Sequence, residues 1–185
     1  MAILDIVLEG DPRLRQKALK IRAVDDSLRE LAADMFETMF DAPGVGLAAP
    51  QVGVLRRIVV VHVPAGHDHD DDPELTVALV NPEIVRAHGR VSALEGCLSI
   101  PGWTGEVPRS ETITVKAIDL ENRPVRLKLH GWSARVVQHE IDHLDGILFL
   151  DRVEDKSTIR QLPDDDEEDE AHAEDESGAR AELLA

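Results

Sequence analysis

Gln138-His139-Glu140-Ile141-Asp142-His143-Leu144-Asp145-Gly146 contains the pattern His-Glu-x-x-His. On a helix, two residues four apart are separated by about 400° of rotation, so the imidazoles of His139 and His143 leave the same face. Glu140 follows the first imidazole, close enough to serve a metal-held water without itself being a ligand. A divalent ion on this face supplies a nucleophile at neutral pH by lowering its water's pKa from about 15.7 to about 7. Taken alone, the pattern equally suits a polar helical stripe or a satisfied histidine pair at the edge of a core. The metal reading therefore needs a third ligand. The extended peptidase form would place a histidine at position 149, which is Phe149. A downstream glutamate ligand would fall near Pro163, where the chain turns acidic.

Upstream stands Cys97, the chain's single cysteine, in Glu95-Gly96-Cys97-Leu98-Ser99. A lone cysteine is often a small buried hydrophobe, and it can also be a nucleophile paired with histidine. The nucleophile reading leaves Glu140 without a role. A thiolate joining two imidazoles on one ion accounts for Cys97, His139, Glu140 and His143 together, and three protein ligands leave a coordination position for water. Further upstream lies Gly44-Val45-Gly46-Leu47-Ala48-Ala49-Pro50-Gln51. Its glycines resemble a dinucleotide fingerprint, but that fingerprint follows a strand and opens a helix, and this segment does the reverse. An ordinary turn is one reading. The other is a backbone that approaches a ligand at Gly46, with Gln51 as an amide donor.

Around these segments the element pattern is readable. Asp11-Pro12 suits an N-cap with proline at the first helical position. Ser27-x-x-Glu30 reads as a capping box, opening a helix whose stripe is Leu28, Leu31, Met35 and Met39 and which runs to about Phe40. Strands are expected at 57–63, 76–82, 88–96, 111–119 and 124–130, with a turn at Glu121-Asn122-Arg123. A helix is expected from about Gly131 to Leu144, and a short one over Arg152 to Gln161. This order predicts an α+β fold: one domain, with antiparallel or mixed sheets packed around a central metal-binding helix. The domain is expected to span residues 1–162. His67-Asp68-His69-Asp70-Asp71-Asp72 reads as a solvated loop rather than a cation site.

Gly-Val-Gly-Leu-Ala-Ala-Pro-Gln, Glu-Gly-Cys-Leu-Ser and Gln-His-Glu-x-Asp-His-Leu-x-Gly, in this order, closely resemble the three signature motifs of the peptide deformylases. The resemblance covers roughly residues 3–155. It implies that Cys97, His139 and His143 hold one divalent metal ion, commonly Fe2+, with Zn2+, Ni2+ and Co2+ suiting the same donors. It implies that Glu140 is the general acid/base, and that Gln51 and the backbone N–H of Leu98 hydrogen-bond the oxygen that becomes negative. The implied reaction removes the formyl group from formyl-methionyl nascent peptides and releases formate. Trp132 and Val136 share the helix face of the histidines, so we expect them to line a pocket for the methionine side chain with Val45 and Gly46 opposite. Plain core packing is the alternative, most of all for Trp132.

Composition narrows the partners. No run of eighteen apolar residues and no charged-then-apolar leader is present, and one cysteine cannot form an internal disulfide, so a cytoplasmic enzyme is expected. Three Phe, two Trp and no Tyr argue against stacking on nucleic acid. Residues 163–185 carry 11 acidic side chains against one Arg, −10 of the chain's −17, and are expected to form a disordered, solvating tail. Some deformylases contact the ribosome through a basic C-terminal helix. The opposite sign here argues against direct contact with nucleic acid through the tail, and leaves any ribosome association transient. A metallopeptidase or a non-catalytic metal-binding protein are the competing readings.

Overall fold

The computed structural model describes residues 2–66 and 73–162. The expectations for the loop at 67–72 and the tail at 163–185 lie outside the described residues. Asp11 caps a short 3-10 turn, Pro12–Arg15, its carboxylate accepting from the Arg13 N–H at 2.8 Å. The first helix, α1 (Asp26–Asp41), is not opened by the expected Ser27–Glu30 box. Asp25 is its N-cap, accepting from the Leu28 N–H at 2.9 Å and from the Ser27 hydroxyl at 2.7 Å. A carboxylate already in extended conformation takes the orphan amide, and it turns Ser27 into a donor.

Eight strands follow among the described residues: β1 (Gly46–Ala48), β2 (Ile58–Val63), β3 (Leu75–His88), β4 (Val91–Cys97), β5 (Ile100–Arg109), β6 (Thr112–Ile118), β7 (Pro124–His130) and β8 (Arg160–Gln161). The helix α2 (Gly131–Leu144) and a single turn, α3 (Phe149–Arg152), lie between β7 and β8. One sheet has the order β1-β2-β3-β6-β7 and the other β4-β5-β8, and every strand pairing is antiparallel. The only parallel element among the described residues is an isolated bridge from Leu19 to Arg56. The mixed alternative thus resolves to antiparallel sheets in an α+β domain.

The sequence pattern misses β1 and β5, and the helix expected over 152–161 is absent. Pro101, Gly102, Gly105 and Pro108 erase the alternation of β5. Gly105 is required by packing: a Cβ there would lie 2.9 Å from Val153 Cγ2. Beyond α3, Asp155 caps a 3-10 turn at Lys156–Thr158, and Arg160–Gln161 then pairs with Trp103 and Thr104 of β5. The stretch expected to be helical thus adds the third strand to the smaller sheet.

In β2, neighbouring residues serve opposite faces. Val59, Val61 and Val63 pack with Ala134, Val136, Val137, Ile141 and Leu144 of α2, while Ile58 and Val60 pack with Leu28, Ala32, Met35 and Met39 of α1. Covering both faces explains the unbroken apolar run. Each such large side chain contributes about 1.5–3 kcal/mol on burial. A third cluster joins Cys97, Ile100 and Val107 to Leu148, Phe149 and Val153. Between these clusters α2 is buried on every side from Ala134 to Leu144. At its C-terminal end, Arg57 donates to the Leu144 carbonyl at 3.1 Å and to Asp145 at 2.7 Å, satisfying an orphan acceptor.

Candidate active site

A helix buried all round that carries Arg135, Gln138, His139, Glu140, Asp142 and His143 must find partners for each of them. Gln138 bridges the Ser110 backbone, accepting from its N–H at 3.0 Å and donating to its carbonyl at 2.9 Å. Arg135 donates to the Val107 and Val91 carbonyls and to Glu95. Asp142 accepts from Arg109 and Arg152. His139 Nδ1 lies 3.0 Å from Glu95 Oε2. Glu140 is the exception: it is wholly buried, and neither carboxyl oxygen has a hydrogen-bond partner among the described residues.

Next to that carboxyl the structure gathers three donor atoms. His139 Nε2 and His143 Nε2 are 3.2 Å apart, Cys97 Sγ is 3.3 Å from His143 Nε2, and all three ligand atoms lie within 4.8 Å of one another. A tetrahedral ion bound at ordinary Zn–N and Zn–S lengths would separate its ligands by about 3.3–3.6 Å, so the donor set fits one ion. Burial pushes the Cys97 thiol up, and the nearby Glu140 charge adds to the effect. Burial likewise pushes the Glu140 carboxyl well above the usual carboxylate range; Arg109 opposes this, and Glu95 and Asp142 reinforce it. A cation among the donors reverses both trends, since a coordinating thiol is deprotonated.

The remaining residues expected from the sequence divide. Gln51 is fully buried; its Oε1 accepts from the Ala48 N–H at 2.8 Å, which turns Nε2 toward Cys97 Sγ (3.7 Å) and Ser99 Oγ (3.4 Å). Leu98 follows Cys97 directly in the tight turn where Cys97 pairs with Ile100. Gly46 lies against the Glu140 carboxyl: a Cβ there would come 2.6 Å from Glu140 Oε1. Val136 is wholly buried in the first core cluster, and Val45 and Trp132 are half-buried against it. Trp132 also lines a cavity of about 280 Å3 with Val91, Ala93, His130 and Arg135.

Sequence reasoning assigned no role to Glu95, Arg109 or Asp142. Glu95 and Asp142 stand inside the quoted motifs, but nothing local to the sequence marks Arg109. Glu95 is fully buried between Arg109, at 2.9 Å through two bonds, and Arg135, at 2.6 Å. Burial by itself would raise its pKa, but hydrogen bonds from Arg109 and His139 outweigh that and hold the carboxyl far below the usual range.

Fold and donor set together define a class, α+β domains with a buried Cys/His/His group able to hold a metal ion. The polypeptide deformylase family model matches residues 3–158. A peptide deformylase from Thermomicrobium roseum is 61% identical over 168 residues, covering 91% of this chain and 96% of that protein. The crystal structure of the Ehrlichia chaffeensis peptide deformylase in complex with actinonin superposes with a TM-score of 0.79 at 40% identity, covering 85% of this chain and 92% of that one. A Met-Ala-Ser-bound class I type b peptide deformylase from Acinetobacter baumannii gives 0.76 at 37%, covering 82% and 99%. The chain belongs to the peptide deformylase family, whose members are metal-dependent hydrolases.

Proposed function

We propose that this chain removes the N-terminal formyl group of formyl-methionyl nascent peptides and releases formate, with Cys97, His139 and His143 as metal ligands and Glu140 as the general acid/base. The observation that carries the reading is the Glu140 carboxyl, buried beside three converging donor atoms and without a hydrogen-bond partner among the described residues. A divalent ion in that donor set supplies Lewis acidity and a nucleophile that ionises near neutral pH.

Everything else falls to the chain's own groups. Glu140 takes the proton of the attacking water and returns it to the amine nitrogen as the C–N bond breaks. Gln51 Nε2 and the Leu98 N–H donate to the formyl oxygen as it becomes negative, one such donor being worth about 3 kcal/mol. Because the Gln51 carbonyl end is held by the Ala48 N–H, its amine end is already aimed. On the substrate side, Val45, just before edge strand β1, and Gly46, its first residue, receive the peptide. Trp132 and Val136 contribute the apolar surface for the methionine side chain; Trp132 borders a cavity, while Val136 is packed in the core beside it. The Met-Ala-Ser peptide bound by the Acinetobacter baumannii relative supports a methionine-first substrate.

Fe2+ is the native ion in this reading, and Zn2+, Ni2+ or Co2+ can replace it in the same donors. The enzyme works in the cytoplasm and meets the ribosome transiently, without nucleic-acid contact through its acidic C-terminal segment. None of the described helices is long and apolar enough to cross a membrane. The deciding experiment follows formate release from formyl-Met peptides, and cleavage of unformylated ones, alongside metal content in anaerobically purified protein. Formate release in proportion to metal is expected. Peptide-bond cleavage without formate release would favour a metallopeptidase.

A further inference from the structure

Glu95 is spent on an arrangement that its place in the strand does not require. Its side chain is wholly enclosed and faces two arginines and one metal-ligand imidazole. An ionised carboxylate only accepts hydrogen bonds, so the 3.0 Å contact requires His139 to donate from Nδ1. In a neutral ring that leaves the lone pair on Nε2, the atom facing His143 Nε2 at 3.2 Å. Glu95 is also two residues from Cys97 on β4, and Arg109 joins it to Asp142, the residue preceding His143 on α2. Arg152 holds the other Asp142 oxygen at 2.7 Å. The strand bearing the thiol and the helix bearing both imidazoles are thus cross-linked through one carboxylate–guanidinium–carboxylate chain.

We infer that Glu95 is a positioning residue for the metal site: it fixes the tautomer and aim of His139 and, through Arg109, locks the Cys97 strand against the His139–His143 helix. The inference rests on the metal-site reading above and adds the groups that keep the ligands assembled. Partners of this kind raise the basicity of a ligating imidazole and are typically worth 10–100-fold in metal affinity.

The test compares zinc-loaded wild type, Glu95→Gln and Glu95→Ala. Zinc release to a chromogenic chelator is timed, the downfield proton resonance of His139 Nδ1–H is recorded, and circular dichroism and thermal melting report folding. Glu95→Ala is expected to release zinc about 10–100-fold faster and to lose the resonance to exchange. Glu95→Gln keeps an acceptor but not the charge, so it should fall between and shift the resonance upfield. Should Glu95→Ala fail to fold, the glutamine variant carries the comparison. A folded variant that melts earlier yet releases zinc at the wild-type rate overturns the inference, because that is what a purely structural role predicts. Wild-type protein that fails to hold one zinc per chain would defeat the metal-site reading itself, a distinct result.

Discussion

A buried carboxyl group with no hydrogen-bond partner costs about 1–3 kcal/mol or more, so Glu140 is a residue the fold tolerates rather than one it uses. Replacing it with alanine should leave metal binding stoichiometric while nearly abolishing formate release, as metal analysis and a turnover assay on one preparation will show. Full activity in that variant would remove Glu140 from the chemistry. Gly46 tests the same point from the other side. An added methyl would lie 2.6 Å from Glu140 Oε1 and 2.9 Å from both its Cδ and its Cγ, in a fully buried setting. Gly46→Ala should therefore cost stability and displace the Glu140 carboxyl, and under the proposed role of Glu140 it should lower kcat about 100-fold, the scale of loss from a misplacement of about 1 Å. Unchanged turnover would mean that Glu140 does not need its present position.

At the level of elements, α1 and α2 are stabilised in different ways. α1 depends on its cap: Asp25→Ala should cost about 1 kcal/mol in denaturant unfolding, while Ser27→Ala should cost markedly less, the reverse of what a Ser27–Glu30 box would give. α2 has no side-chain N-cap and is held by burial and by the polar bonds of its own residues. Its boundaries were legible from the sequence because His139, His143 and the apolar positions share one period of 3.6. The strand β5 was not legible, since its prolines and glycines answer to neighbours such as Val153 rather than to any local repeat.

For the molecule as a whole, the Glu95–Arg109–Asp142 chain ties stability to pH. In the folded chain Glu95 stays ionised to lower pH than in the unfolded one, where its pKa is about 4.3. The unfolded chain therefore takes up its proton first as the solution is acidified, and the contribution of Glu95, complete above that value, drains away as pH falls. Thermal midpoints of wild type and Glu95→Gln should differ most above about pH 5 and converge in acid. A gap that stays constant with pH would show that the charge of Glu95 is not what matters. We also propose that residues 1–162 form the whole catalytic unit. Truncation after Leu162 removes −10 of the −17 net charge and should leave kcat/KM and the melting temperature unchanged in a parallel assay.

Local spacing alone determined the histidine pair, the intervening glutamate, the span of α2 and most of the strands in the larger sheet, because period and turn chemistry are written within a few residues of where they act. The order of three short motifs then set the family. Only tertiary structure decided that Asp25 rather than Ser27 caps α1, that Pro- and Gly-rich chain forms β5, and that Glu95 grips His139 across 44 residues of sequence. The reason is physical. A buried ion network is stable only when its members meet in a site closed to water, and nothing in the spacing of Glu95, Arg109 and Asp142 records that they do.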